Sequence, residues 1–119
     1  MNERGTVAAG TGTRKDTRAL CVIDLVGRVV ATGAYAADGE GYDRIAAAIG
    51  DPRDCVVVGV EGTGSYGAGI SRRLAELGYD VVEAVRPKRE KRMAGRDKND
   101  PADAERAARD ALAGKASGA

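Results

Sequence analysis

Residues 55–65 read Cys55-Val56-Val57-Val58-Gly59-Val60-Glu61-Gly62-Thr63-Gly64-Ser65. A continuous β-branched run of this kind suits a strand covered on both faces. The glycine cluster behind it marks a tight turn. The run is therefore read as the central strand of a sheet, over 55–60, with Glu61 standing at its C-terminal end. Beyond the turn, residues 66–77 put Ile70, Leu74 and Leu77 on one helical face, and Gly78 is a fitting stop. Residues 79–85 then read as another strand. Strand, helix and strand in this order make a βαβ crossover.

Toward the N-terminus, residues 18–24 and 28–36 read as two strands joined by a turn at Val26-Gly27, a β-hairpin. Residues 6–9 are short and apolar, a weak first strand that ends before Gly10. Residues 41–49 place Tyr42, Ile45, Ala46 and Ile49 at i, i+3, i+4 and i+7, a helical face. Toward the C-terminus, a last helix starts at Asp100-Pro101 and runs to about Ala113, with Gly114 ending it. A hairpin meander followed by crossovers predicts an α/β domain: a mixed five-stranded sheet with flanking helices. An RNase H-like fold has this element order, and other topologies share it. The domain is expected over residues 6–114, with residues 1–5 and 115–119 as disordered ends.

The composition narrows the chemistry. The 119 residues include no Phe, Trp or His. A core of alanine and valine buries little area per residue, so marginal stability is expected. Without histidine or a Cys-x-x-Cys pair, the composition argues strongly against a zinc site and excludes a Cys–His nucleophile. Cys21 and Cys55 sit in apolar runs and are read as reduced, packed thiols. No apolar run approaches the roughly 20 residues of a membrane span, and Met1–Arg18 lacks the apolar stretch of a signal peptide. A cytoplasmic protein is expected. The net charge of +1 hides an asymmetry. Residues 1–85 hold nine Lys/Arg against twelve Asp/Glu, residues 86–98 seven against two, and residues 99–119 three against four. One short basic segment thus interrupts a mildly acidic chain, either as a solvated loop or as a phosphate-contacting surface.

Three carboxylates have the placement of a metal site. Two-metal phosphoryl transfer holds its ions about 4 Å apart, and magnesium prefers oxygen ligands. Glu61 ends the central strand. Asp100 and Asp103, three apart, share a helix face about 5–6 Å apart at Cβ. A purely structural role stays open: Asp100 and Pro101 make a good N-cap and N1 pair, and Asp103 favours the helix dipole at N3.

Val60-Glu61-Gly62-Thr63-Gly64-Ser65-Tyr66-Gly67, then Arg86-Pro87, then Lys98-Asn99-Asp100-Pro101-Ala102-Asp103-Ala104 closely resembles the N-terminal domain of the insertion sequence 110 family of transposases, the DEDD (RuvC-like) recombinases. The resemblance extends over roughly residues 8–114. It implies that Glu61, Asp100 and Asp103 are catalytic metal ligands, with Mg2+ or Mn2+ as cofactor. It also implies DNA as partner, a structured guide RNA directing DNA transposition and recombination, and self-association. The stretch holding the family's first aspartate is Gly10-Thr11-Gly12-Thr13-Arg14-Lys15-Asp16-Thr17. Lys15, Asp16 and Thr17 match, but Gly12 occupies the aspartate's place, and Arg14 and Arg18 stand where histidines are frequent. Glycine offers no ligand, so the expected site lacks its central carboxylate unless the loop brings Asp16 back. The family's C-terminal serine-bearing domain is also absent from this chain, which is expected to be a truncated, catalytically incomplete transposase.

By the same resemblance, Lys15, Arg86, Lys88, Arg89, Lys91, Arg92, Arg96 and Lys98 are the candidate nucleic-acid-binding residues. No interleaved aromatic offers a stacking platform, so sequence-independent binding is expected. Two alternatives remain. One is a non-enzymatic nucleic-acid-binding remnant. The other is a dinucleotide-binding module, because Gly62, Gly64 and Gly67 spell G-x-G-x-x-G between strand and helix, with Glu83 about 20 residues on. Glu61 beside a pyrophosphate, and three strands ahead of the fingerprint, count against that module.

Overall fold

The structure, a computed structural model, describes residues 5–13, 16–64, 66–84 and 100–116, without the side chains of Asp100, Pro101 and Ala116. Among the described residues, five strands and three helices follow one another: β1 (Val7–Thr13), β2 (Thr17–Asp24), β3 (Val29–Ala36), α1 (Gly39–Ile49), β4 (Cys55–Glu61), α2 (Ala68–Glu76), β5 (Val81–Ala84) and α3 (Asp100–Ala116). A 3-10 turn, Pro52–Asp54, leads into β4. The sheet order is β3-β2-β1-β4-β5. β1, β2 and β3 pair antiparallel, whereas β4 is parallel to both β1 and β5. This is the mixed five-stranded α/β architecture expected, in RNase H-like order.

Each face of the sheet has its own core. On one face, Ile45 and Ile49 of α1 and Ile70 and Leu74 of α2 pack against Ala9, Leu20, Val22, Val58 and Val60. On the other, Ala104, Ala108 and Ala111 of α3 lie against Ala8, Ala19, Cys21, Ile23 and Val57. The helical periodicities of α1 and α2 are thus the core-facing ones, with one correction: Leu77 follows the last turn of α2 and is 38% exposed.

β1 departs most from expectation. It does not stop before Gly10 but continues to Thr13, every residue paired with β2 from Asp24 back to Arg18. Ladder hydrogen bonds override the weak strand preference of glycine, and the glycine marks a close approach. A Cβ on Gly10 would meet the amide of Ala108 and the carbonyl of Ala104, both closer than 3.0 Å. A Cβ on Gly59 would sit 2.5 Å from the Ala107 carbonyl. Gly10 and Gly59 are the floor on which an alanine-faced helix lies.

Other boundaries shift for local reasons. α1 starts at Gly39, ahead of the expected residue 41, because the Asp38 carboxylate accepts the Gly41 amide at 2.8 Å and caps the helix. β5 starts at Val81 rather than at residue 79, and residue 85 lies outside the described residues. Tyr79 instead turns its ring into the core, and its hydroxyl donates to the carbonyls of Ala46, at 3.0 Å, and Gly50. α3 does not end at Gly114 but continues to Ala116, its last turn carrying an exposed Lys115–Asp80 ion pair at 2.7 Å. Gly114 breaks nothing there because a helix anchored by its buried face tolerates a modest local penalty.

Both cysteines are free and buried. Burial raises the Cys21 thiol and pushes Cys55 from 9.0 up to about 11. The folded value of Cys55 lies above the unfolded one, so its contribution is complete below pH 9 and is lost as pH rises toward about 11. The urea midpoint is expected to fall over that interval, and less steeply in Cys55→Val. Equal slopes in the two proteins would assign the alkaline loss to other groups.

Candidate carboxylate site

The site is built where β1 and β4 end side by side. Thr11 of β1 is level with Val60 of β4, the last pair of this ladder, and Gly12 and Glu61 are the next residues along their strands. Side chains alternate along a strand. Gly10 and Gly59 face α3, and therefore Gly12 and Glu61 belong to the same face. Glu61 is only 6% exposed.

α3 brings its first turn to this corner. Gly10 lies under Ala104 and Ala108, and Gly59 under Ala107 and Ala111. At the opposite end of the sheet a groove lined by Ile23, Val56, Leu112 and Ala113 marks where the helix finishes. The helix therefore runs from the ends of β1 and β4 back toward their starts, with Asp100 and Asp103 at the Gly12–Glu61 end. Asp103 is half-buried and accepts from Arg106 Nη2 at 3.1 Å. Asp100 opens the helix one turn ahead of Ala104, and its side chain lies outside the described residues. Among the described residues no three His, Cys, Asp or Glu side chains cluster as a metal site.

The turn after Glu61 depends on two glycines. Gly62 takes φ +70°, a conformation open mainly to glycine. Gly67 donates its amide to the Gly62 carbonyl at 2.7 Å, and a Cβ on it would lie 2.9 Å from that same oxygen. Gly64, by contrast, has open space around it. Glu83 accepts from Thr63 Oγ1 at 2.8 Å, a bond that ties the turn to β5.

Residues 9–117 match the sequence profile of the insertion sequence 110 DEDD family, described as a transposase. The chain belongs to this family. A search of curated proteins found no match. Membership in a transposase family implies an interaction with DNA and a dependence on divalent metal. The residues present fit a pair of metals poorly. The residue that follows the Thr11–Val60 pair on β1 is Gly12, which has no donor, and Asp103 already accepts a guanidinium bond. Asp16 sits in the β1–β2 turn, its carbonyl bonded to the Ala37 amide on the β3 side, whereas Glu61 is on the β4 side of β1.

The transposase domain also uses a residue that its sequence motifs do not assign to the site. Arg18, only 3% exposed, donates to the carbonyls of Thr17, at 2.7 Å, and Tyr66, and so fastens β2 to the glycine turn from the face opposite α3. The signal was a charged residue at the head of an apolar strand. Lys15, Arg86, Lys88, Arg89, Lys91, Arg92, Arg96 and Lys98 lie outside the described residues. Their anchor points do not. Lys15 belongs to the link between Thr13 and Asp16, and the basic segment joins Ala84, paired with Glu61, to Asp100. No described helix is long and apolar enough to cross a membrane.

Proposed function

We propose that this chain is the nucleic-acid-binding N-terminal domain of a DEDD transposase whose carboxylate corner is too incomplete for strand cleavage. The observation that supports this reading is Gly12, a residue without a side chain, which directly follows the Thr11–Val60 pair, as Glu61 does on β4. Glu61, Asp100 and Asp103 take the roles of the family's remaining acidic ligands, and Mg2+ or Mn2+ is the ion their oxygens suit. Holding two ions about 4 Å apart requires a carboxylate shared between them, and the missing aspartate leaves that place empty. The isolated protein is expected not to cleave DNA with magnesium or manganese. Robust metal-dependent cleavage that Glu61→Gln abolishes would overturn the reading.

Binding rests on the basic residues. All eight are tethered to the carboxylate end of the sheet, which favours that end as the surface presented to phosphates. DNA is the partner by family, and a structured guide RNA offers the same backbone charge. Neutralising Arg89, Arg92 and Arg96 together is expected to weaken binding across sequences. It should also lower the slope of log K against log salt by about 1 for each phosphate no longer neutralised. Unchanged affinity and slope would return the segment to a solvated loop. The dinucleotide reading of Gly62, Gly64 and Gly67 draws less support, since Glu83 is engaged by Thr63 and an antiparallel meander precedes the turn.

A further inference from the structure

The basic segment, residues 86–98, carries no aromatic side chain, but the turn that follows Glu61 does. The chain has four tyrosines. Three of them serve the fold: the Tyr79 hydroxyl donates to the Ala46 and Gly50 carbonyls, the Tyr35 ring lies over Gly33, and the Tyr42 ring lies against Gly69 of α2. Tyr66 is different. It is 54% exposed, and its side chain makes no hydrogen bond among the described residues. The main chain that carries it is nevertheless fixed on both sides. Its carbonyl accepts from Arg18, which is buried. The next residue, Gly67, donates to the Gly62 carbonyl at 2.7 Å, and a Cβ there would collide with the Glu61 carbonyl. Tyr66 therefore stands one residue from the main chain of Glu61. Burying a guanidinium costs free energy, and here one of its hydrogen bonds holds the backbone of a residue whose own side chain is exposed.

We infer that the Tyr66 ring is a stacking platform for an unpaired nucleobase beside the carboxylate corner. The inference rests on the reading above, in which the carboxylate end of the sheet meets nucleic acid. Inside a duplex both faces of a base are covered by its neighbours, so the partner of the ring is a base in a single strand or one splayed out of a helix. Every base has a π-face, and stacking on an aromatic side chain is accordingly tolerant of sequence. That agrees with the sequence-independent contacts expected of the basic residues, and it supplies the stacking surface that their own segment lacks. The approach is open: a Cβ on Gly64, two residues earlier in the turn, would meet nothing within 4 Å. The ring is also ready to bind. A tyrosine has only two side-chain torsions, and with its main chain already fixed little freedom is lost when a base settles on it.

Fluorescence anisotropy with two labelled strands tests this: a short oligothymidylate, and an abasic strand with the same number of phosphates. The native chain is expected to bind the oligothymidylate about tenfold more tightly. Tyr66→Ala should lose that preference and leave affinity for the abasic strand unchanged. Its circular dichroism spectrum should also be unchanged, because Arg18 bonds the main chain of residue 66, which every substitution keeps. Tyr66→Phe should retain the preference, and Tyr66→Leu, apolar but without a π-face, should lose it. Tyr66→Trp places the only tryptophan of the chain at the site. Its emission should be quenched by the oligothymidylate and not by the abasic strand. Equal binding of both strands by the native chain overturns the inference. So does a preference that survives in Tyr66→Ala or Tyr66→Leu or disappears in Tyr66→Phe, and so does unquenched tryptophan emission in a complex that forms. A native chain that binds neither strand overturns the nucleic-acid reading itself, and this inference with it.

Discussion

Gly10→Ala is expected to destabilise the protein by about 3 kcal/mol, a large share of the stability of a small domain. The added methyl has nowhere to go. It points at the Ala108 amide, the Ala108 Cα and the Ala104 carbonyl, all closer than 3.0 Å. No rotamer relieves an alanine, so either α3 lifts from the sheet or β1 bends. Lifting α3 opens the packing of Ala104, Ala108 and Ala111 on Cys21, Ile23 and Val57, half of a core with no aromatic ring except those of tyrosines. Gly114→Ala is the control. That glycine lies in the same helix with open space around it, so alanine there should stabilise by about 0.5–1 kcal/mol. Urea unfolding followed by circular dichroism checks both. A Gly10→Ala protein within experimental error of the native one would mean that α3 does not lie against β1 at this point.

Gly12→Asp is expected to convert negligible manganese binding into a measurable isotherm, with affinity raised at least about tenfold, or about 1.4 kcal/mol. The new carboxylate stands on the face of the sheet that Glu61 shares, at the head of α3. Two neighbouring strand ends then offer oxygen ligands to one ion. Glu61→Gln in the Gly12→Asp background should return the heat to baseline, and Gly12→Ala should bind no better than the native chain. Equal, negligible heats for the native and Gly12→Asp proteins, both folded by circular dichroism, would remove the corner from consideration as a metal site.

Much of this arrangement is legible in the sequence, for identifiable reasons. The run ending at Val60 has no other stable home than the middle of a sheet, and β4 is found there, between β1 and β5. The 3.6-residue spacing of Ile45, Ile49, Ile70 and Leu74 likewise has one reading, and all four are buried. β1 is harder. Val7–Thr13 reads as a strand only once β2 is known to pair with it and α3 to cross it, since its glycines weaken every local preference. α3 is also hard to delimit. Its buried stripe is alanine, which marks a helix but barely distinguishes an inner face from an outer one, so periodicity gives no firm end. At the site, Glu61 is legible because a carboxylate closing an apolar strand is conspicuous. Arg18 is not, because its two carbonyl acceptors, at Thr17 and Tyr66, come together only in the folded chain.

The seat of α3 also limits how this domain can change. Where one side chain crowds another, a second mutation that trims the neighbour restores the fit. At Gly10 the neighbours are main-chain atoms of Ala104 and Ala108, and no substitution makes a peptide group smaller. A genetic screen beginning from Gly10→Ala should therefore recover revertants to glycine and few or no local suppressors.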